Sequence, residues 1–140
     1  MKGKGVEVGI LAGTGEHPQA EHGQTLAEIA FWMEFGARKG QPNRIPSRPA
    51  FRLAMWKNKR KYKRQIANLL KGVYKGRITS DAAHAALGFE IQKDIQASIT
   101  DLMTPPNAEE TKKRKGSSNP LIDSGALRQH ISWGKIKGFV

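Results

Sequence analysis

Two long stretches of helical periodicity, parted by one break, constrain the fold of this chain more than any other feature. Phe51, Met55, Tyr62, Ile66, Leu69 and Val73 recur at spacings of three, four or seven, with Lys and Arg filling the positions between them. Gly76 and Arg77 break this amphipathic, strongly basic helix. Thr79 or Ser80 then offers a cap, and Asp81 a favourable charge, for a new N-terminus. The second helix is expected over about Asp81 to Met103, with Ala83, Leu87, Ile91, Ile95, Ser98 or Ile99 and Leu102 on its apolar face. Pro105 and Pro106 end it.

The flanks carry different patterns. Val6, Val8 and Ile10 alternate with Glu7, Gly9 and Leu11, the period-two signature of a strand with one buried face. The Gly-rich, polar AGTGEHPQAEHGQ that follows is a loop. Thr25 and Glu28 have the spacing of a capping box, in which hydroxyl and carboxylate each satisfy an orphan backbone N–H. A short, largely buried helix should start there, with Leu26, Ile29, Ala30 and Met33 at helical spacing and Gly36 placed for the left-handed cap conformation. Pro46 and Pro49 make the next segment an extended connector, after which Ser47 can cap the long helix with Pro49 in its first turn. Leu127, Ile131 and Trp133, with Arg128, His130 and Ser132 between them, read as a C-terminal strand.

These elements predict an α+β fold. Its sheet is small and mostly antiparallel, built from Val6–Leu11 and Leu127–Ile136. It packs against one short and two longer helices, with a long extended loop over about 104–126 before the C-terminal strand. At 140 residues and 38% apolar content the chain suffices for one domain, 1–140, and is too short for two.

Composition narrows the chemistry. Without cysteine, disulfides, thiolate metal sites and a cysteine nucleophile are excluded. His17, His22, His84 and His130 show no paired-ligand spacing, so no metal or cofactor is expected. No run approaches the ~20 apolar residues of a membrane span, and VEVGIL is too brief for a signal peptide, so no membrane partner is expected and the chain should stay in the cytoplasm of whatever cell makes it. The net charge of +12 is concentrated: Arg38 to Arg77 contains 14 Lys or Arg and no Asp or Glu, leaving ten basic residues against twelve acidic ones elsewhere.

Three local patterns invite chemical readings. GILAGTGE follows a strand as phosphate-binding loops do, but no Lys-Ser/Thr comes after the last glycine and Pro18 stands where a helix should begin. Asp123, Ser124 and His130 could form a hydrolytic set, yet Asp-Ser-Gly is more simply a turn. The run KNKRKYKR can neutralise phosphates through Lys57, Lys59, Arg60, Lys61, Lys63 and Arg64, or serve as the solvated face of a helix, or meet an acidic neighbour. Trp56 and Tyr62 could stack on bases, though aromatics at helical spacing more often lie in a core.

Three segments, LAEIAFWMEFG (Leu26 to Gly36), IPSRPAF (Ile45 to Phe51) and PPNAEETKKRKGSSNPLIDSGALRQHISW (Pro105 to Trp133), together resemble a family of tailed-phage virion morphogenesis proteins. These are described as tail-component, tail-completion or head-to-tail joining proteins of long-tailed bacteriophages. Ser124 departs from the Thr of many relatives, and the basic helix is more charged than the family requires. The resemblance implies a non-enzymatic structural protein located in the virion, at the neck or upper tail. It would act in a cyclic ring of about six or twelve copies around the DNA conduit. Its partners would be copies of itself, neighbouring neck and tail proteins, and passing genomic DNA through nonspecific phosphate contacts. Arg48, Pro49, Pro105, Pro106, Asn107, Leu121, Ile122, Asp123 and Arg128 are expected at contacts between subunits, and the six cations of KNKRKYKR on the surface toward DNA or an acidic partner. The alternative expectation is a sequence-nonspecific nucleic-acid-binding protein acting through the basic helix; a hydrolase ranks last, because the acidic residues are scattered.

Overall fold

A computed structural model describes residues 5–11, 25–36, 47–102 and 126–136. Within them the fold is α+β and mostly helical: strand β1 (Gly5–Gly9), helices α1 (Leu26–Phe35), α2 (Ala50–Tyr74) and α3 (Ser80–Asp101), a single helical turn α4 (Ala126–Gln129), and strand β2 (Ser132–Ile136). The two strands form an antiparallel ribbon with Val8 opposite Trp133 and Gly9 opposite Ser132.

The helix starts follow from local hydrogen bonding. In α1, Thr25 Oγ1 accepts the Glu28 N–H at 3.2 Å and the Glu28 carboxylate accepts the Thr25 N–H at 2.9 Å, completing the capping box. The helix ends at Gly36, whose φ of 80° is costly for any residue with a Cβ. In α3, Thr79 Oγ1 accepts the Ala82 N–H at 3.1 Å. The start of α2 differs from expectation. Its N-cap is Pro49, which makes no side-chain cap bond, while Ser47 turns back and donates to the Glu34 carbonyl at 2.8 Å.

The missing cap comes from another helix. Glu34, on α1, is buried, and its carboxylate accepts the N–H groups of Phe51 (3.1 Å) and Arg52 (3.0 Å) and the Arg52 Nε (2.9 Å). A carboxylate on the first free amides of a helix matches the positive end of its dipole. This clip fastens the C-terminal end of α1 to the start of α2.

The core joins the two long helices to the ribbon. Ala50 and Ala54 of α2 meet Ile95 and Ile99 of α3 and Ile131, and Val8, Ile10, Met33 and Phe51 pack around them. Ser98 Oγ donates to the Ala50 carbonyl at 2.8 Å, locking the crossing of the helices. Small side chains on α2 let it lie close to α3, so the buried line of α2 is Ala50, Ala54 and Tyr62; Met55 and Ile66, expected on that face, are exposed. Complete burial of Ile99 and Ile131 stabilises the fold by about 1.5–3 kcal/mol each.

Two further expectations are corrected. α1 is not largely buried: one stripe, Leu26, Ala30 and Glu34, faces inward, while Phe31 and Phe35 are 59% and 56% exposed. The C-terminal strand does not begin at Leu127. Ala126 to Gln129 closes a helical turn, with the His130 N–H donating to the Ala126 carbonyl, and pairing with β1 starts only at Ser132.

Candidate functional site on the outer face of the long basic helix

Successive helical residues turn by 100°, so the line opposite Ala50, Ala54 and Tyr62 carries Arg52, Trp56, Lys59, Lys63, Leu70 and Tyr74. All six are exposed, Trp56 to 76% and Tyr74 to 92%. Arg60 flanks this line, while Lys57 and Arg64 lie farther round the helix toward the α2–α3 seam; all three are exposed as well. Among the described residues none of Lys57, Lys59, Arg60, Lys63 and Arg64 forms an ion pair.

Lys61 has a different role from the other five. Its ammonium lies 2.6 Å from carboxylate oxygens of both Glu90 and Asp94 on α3. Burial pushes that ammonium down, but the hydrogen bonds and charges of Asp94 and Glu90 more than offset it, and the net shift is upward. Tyr62 Oη donates to the same Asp94 at 2.8 Å. Burial, followed by Asp94, raises the Tyr62 phenol well above the usual tyrosine range. Lys61, Tyr62, Glu90 and Asp94 are thus a weld between α2 and α3. The two aromatics of the basic segment separate accordingly: Tyr62 is core and Trp56 is surface.

Arg52 extends the outer face onto α1. Its guanidinium stands 4.8 Å from the centre of the Phe35 ring, and Phe35 packs on Phe31 with ring centres 4.9 Å apart. Because Glu34 holds the Arg52 Nε and the Glu34 carbonyl accepts its terminal N–H at 2.7 Å, this cation is fixed rather than free to swing. A continuous outer surface results, with cations in its middle and large apolar side chains toward both ends. Glu34, Phe31, Phe35, Leu70 and Tyr74 were not singled out by sequence reasoning. An uncapped helix start after Pro49 is the one local sign that an anion from elsewhere is required.

Residues expected at subunit contacts fall in separate places. Arg48 is 7% exposed and burial lowers its pKa; its N–H donates to the Met33 carbonyl at 2.6 Å. It therefore presents little surface to a neighbour. Pro49, half-buried, caps α2 beside it. Arg128 is exposed on α4, where its carbonyl accepts the Gln96 side chain at 3.1 Å. Pro105, Pro106, Asn107, Leu121, Ile122 and Asp123 lie outside the described residues.

Two open clefts follow the α2–α3 seam. One, of about 440 Å³, is lined by Trp56, Lys57, Asp94, Ser98 and Asp101 among others; the second, of about 530 Å³, by Lys61, Arg64, Gln65, Asn68, Leu69 and Glu90. Among the described residues no three His, Asp or Glu side chains are grouped to hold a metal, and no helix is long and apolar enough to cross a membrane. What the arrangement can do is dock. Cations attract an acidic partner from a distance, and burial of an aromatic such as Trp56 contributes about 2 kcal/mol or more to an interface. Comparison of the chain with protein-family models, with curated proteins and with solved structures finds no match.

Proposed function

We propose that the chain is a non-enzymatic structural component of a tailed phage particle. It joins head and tail, or completes the tail at the neck, as one copy in a cyclic ring around the DNA conduit. The outer face of α2 carries the reading: Trp56 at one end and Leu70 and Tyr74 at the other stand exposed, with unpaired cations between them on a helix pinned from behind, and aromatic side chains and Arg are enriched where proteins meet. Such a face suits a protein whose work is contact with other macromolecules. The likeness of Leu26–Gly36, Ile45–Phe51 and Pro105–Trp133 to tail-completion and head-to-tail joining proteins supplies the particular assembly.

One observation favours the second reading, sequence-nonspecific nucleic-acid binding: Trp56 is exposed beside Lys57, Lys59 and Arg60, where it could stack on a base. Infection with a phage lacking this chain separates the two. The structural reading predicts heads and tails that accumulate unjoined, or tails of aberrant length, in electron micrographs of the lysate. Normal, infectious tailed particles would overturn it.

A further inference from the structure

The outer face of α2 has a composition that discriminates among possible occupants. α2 is 25 residues long, about 37 Å. Along that length, the exposed cations Lys59, Arg60 and Lys63 lie between Trp56 at one end and Leu70 and Tyr74 at the other. Phosphate recognition requires donors and positive charge, which Leu70 and the exposed Ile66 and Met55 do not supply; a rail for a nucleic-acid backbone would be interrupted by them.

A second copy of this chain is also a poor match. Its described acidic groups are largely engaged within its own fold: Glu28 in the capping box, Glu34 on the start of α2, Glu90 and Asp94 on Lys61, and Asp81 on Lys135. Two such chains, each of charge +12, repel across this face.

We infer that the outer face of α2 is the docking surface for an acidic amphipathic segment of a different protein. This segment places apolar side chains on Trp56 and on Leu70–Tyr74, and Asp or Glu between them over Lys59, Arg60 and Lys63. Trp56 and Leu70 are fourteen residues apart, so the two apolar anchors of the occupant sit about 21 Å from each other. The inference rests on the structural reading above and refines it. If copies of this chain form a ring, they touch through other surfaces, and α2 serves the contact with an unlike subunit.

A photoreactive aromatic amino acid placed at position 56 or 70 of the full chain tests this in infected cells, with particles and soluble protein separated before mass spectrometry. Both positions are exposed, and circular dichroism verifies that the helix content is unchanged. The expected result is a cross-link to a peptide of a different protein with net negative charge. Combining Arg60→Glu with Lys63→Glu should reduce that cross-link at least tenfold, whereas the same label at exposed Ala86 on α3 should not form it. Cross-links that nuclease removes, cross-links to a second copy of the chain, or no more cross-linking than from position 86 would each overturn the inference. The acidic cross-link found only in soluble protein, with the chain missing from particles, would uphold the docking face and overturn the phage reading.

Discussion

Gly88 provides the sharpest test of how the ribbon packs on α3. It is buried in the middle of the helix, and a Cβ built there would stand 2.5, 2.6 and 2.7 Å from the Cδ2, Cε3 and Cγ atoms of Trp133. These belong to a rigid ring on β2, held opposite Val8 and edge-on to Phe89 with centres 5.3 Å apart, so the clash cannot be relieved by a flexible tip. Overpacking costs about 1–3 kcal/mol, and three contacts under 3 Å on a rigid ring place this one at the upper end, about 2–3 kcal/mol, while Ala in place of Gly in a helix returns about 1 kcal/mol. Gly88→Ala should therefore destabilise the protein by about 1–2 kcal/mol net and lower Tm by roughly 3–8 °C in thermal unfolding followed by circular dichroism. In a Trp133→Val background the ring is gone, and the same Gly88→Ala change should reverse sign and stabilise by about 0.5–1 kcal/mol. A Gly88→Ala protein as stable as the parent, or more stable, would refute the close approach of α3 and β2.

Three further outcomes are expected. Glu34→Gln removes the charge from the clip on α2 and should cost about 2 kcal/mol in urea unfolding, since hydrogen bonds to a charged group are lost from a buried site; an unchanged midpoint would contradict the clip. Tyr62 and Lys61 both have folded pKa values raised above ordinary values of roughly 10 and 10.4, so their stabilising contribution is intact below about pH 10 and is lost as pH rises through the raised values. Urea midpoints measured from pH 9 to 11.5 should fall, and less steeply in Tyr62→Phe; a rise over that range would be inconsistent with the weld. Trp56→Ala should leave stability within about 0.5 kcal/mol, because the side chain is 76% exposed, and still impair assembly of tailed particles.

What was legible in the sequence was mainly local. The Thr25–Glu28 capping box, a cap at Thr79, one of the two residues offered there, the end of α2 and the approximate limits of α3 depend on residues a few positions apart, and the structure has them close to where the pattern places them. The rotation of α2 was harder to read. Large apolar residues at 51, 55, 62 and 66 suggested the inner face, but alanines at 50 and 54 set the approach to α3 and turn Met55 and Ile66 outward. Periodicity places Tyr62 on the inner face and leaves Trp56 off it, but the partner that holds Tyr62 there, Asp94, lies thirty-two residues away and accepts its hydroxyl, beyond what spacing can indicate. The Glu34 clip spans a connector and joins residues seventeen and eighteen positions apart, beyond the reach of any local rule. At the C-terminal end, Leu127 fits a strand alternation equally well, yet the bond from His130 to Ala126 closes a helical turn first. For the basic segment, charge alone marked six cations as equivalent; only the neighbouring helix shows that Lys61 is spent on Glu90 and Asp94.

The most direct measurement of the proposed role is electron microscopy of intact particles carrying a compact label on this chain. A symmetric band of label at the head-to-tail junction is the predicted result, and its intensity counts the copies in the ring. Particles with normal morphology and no label would contradict the account.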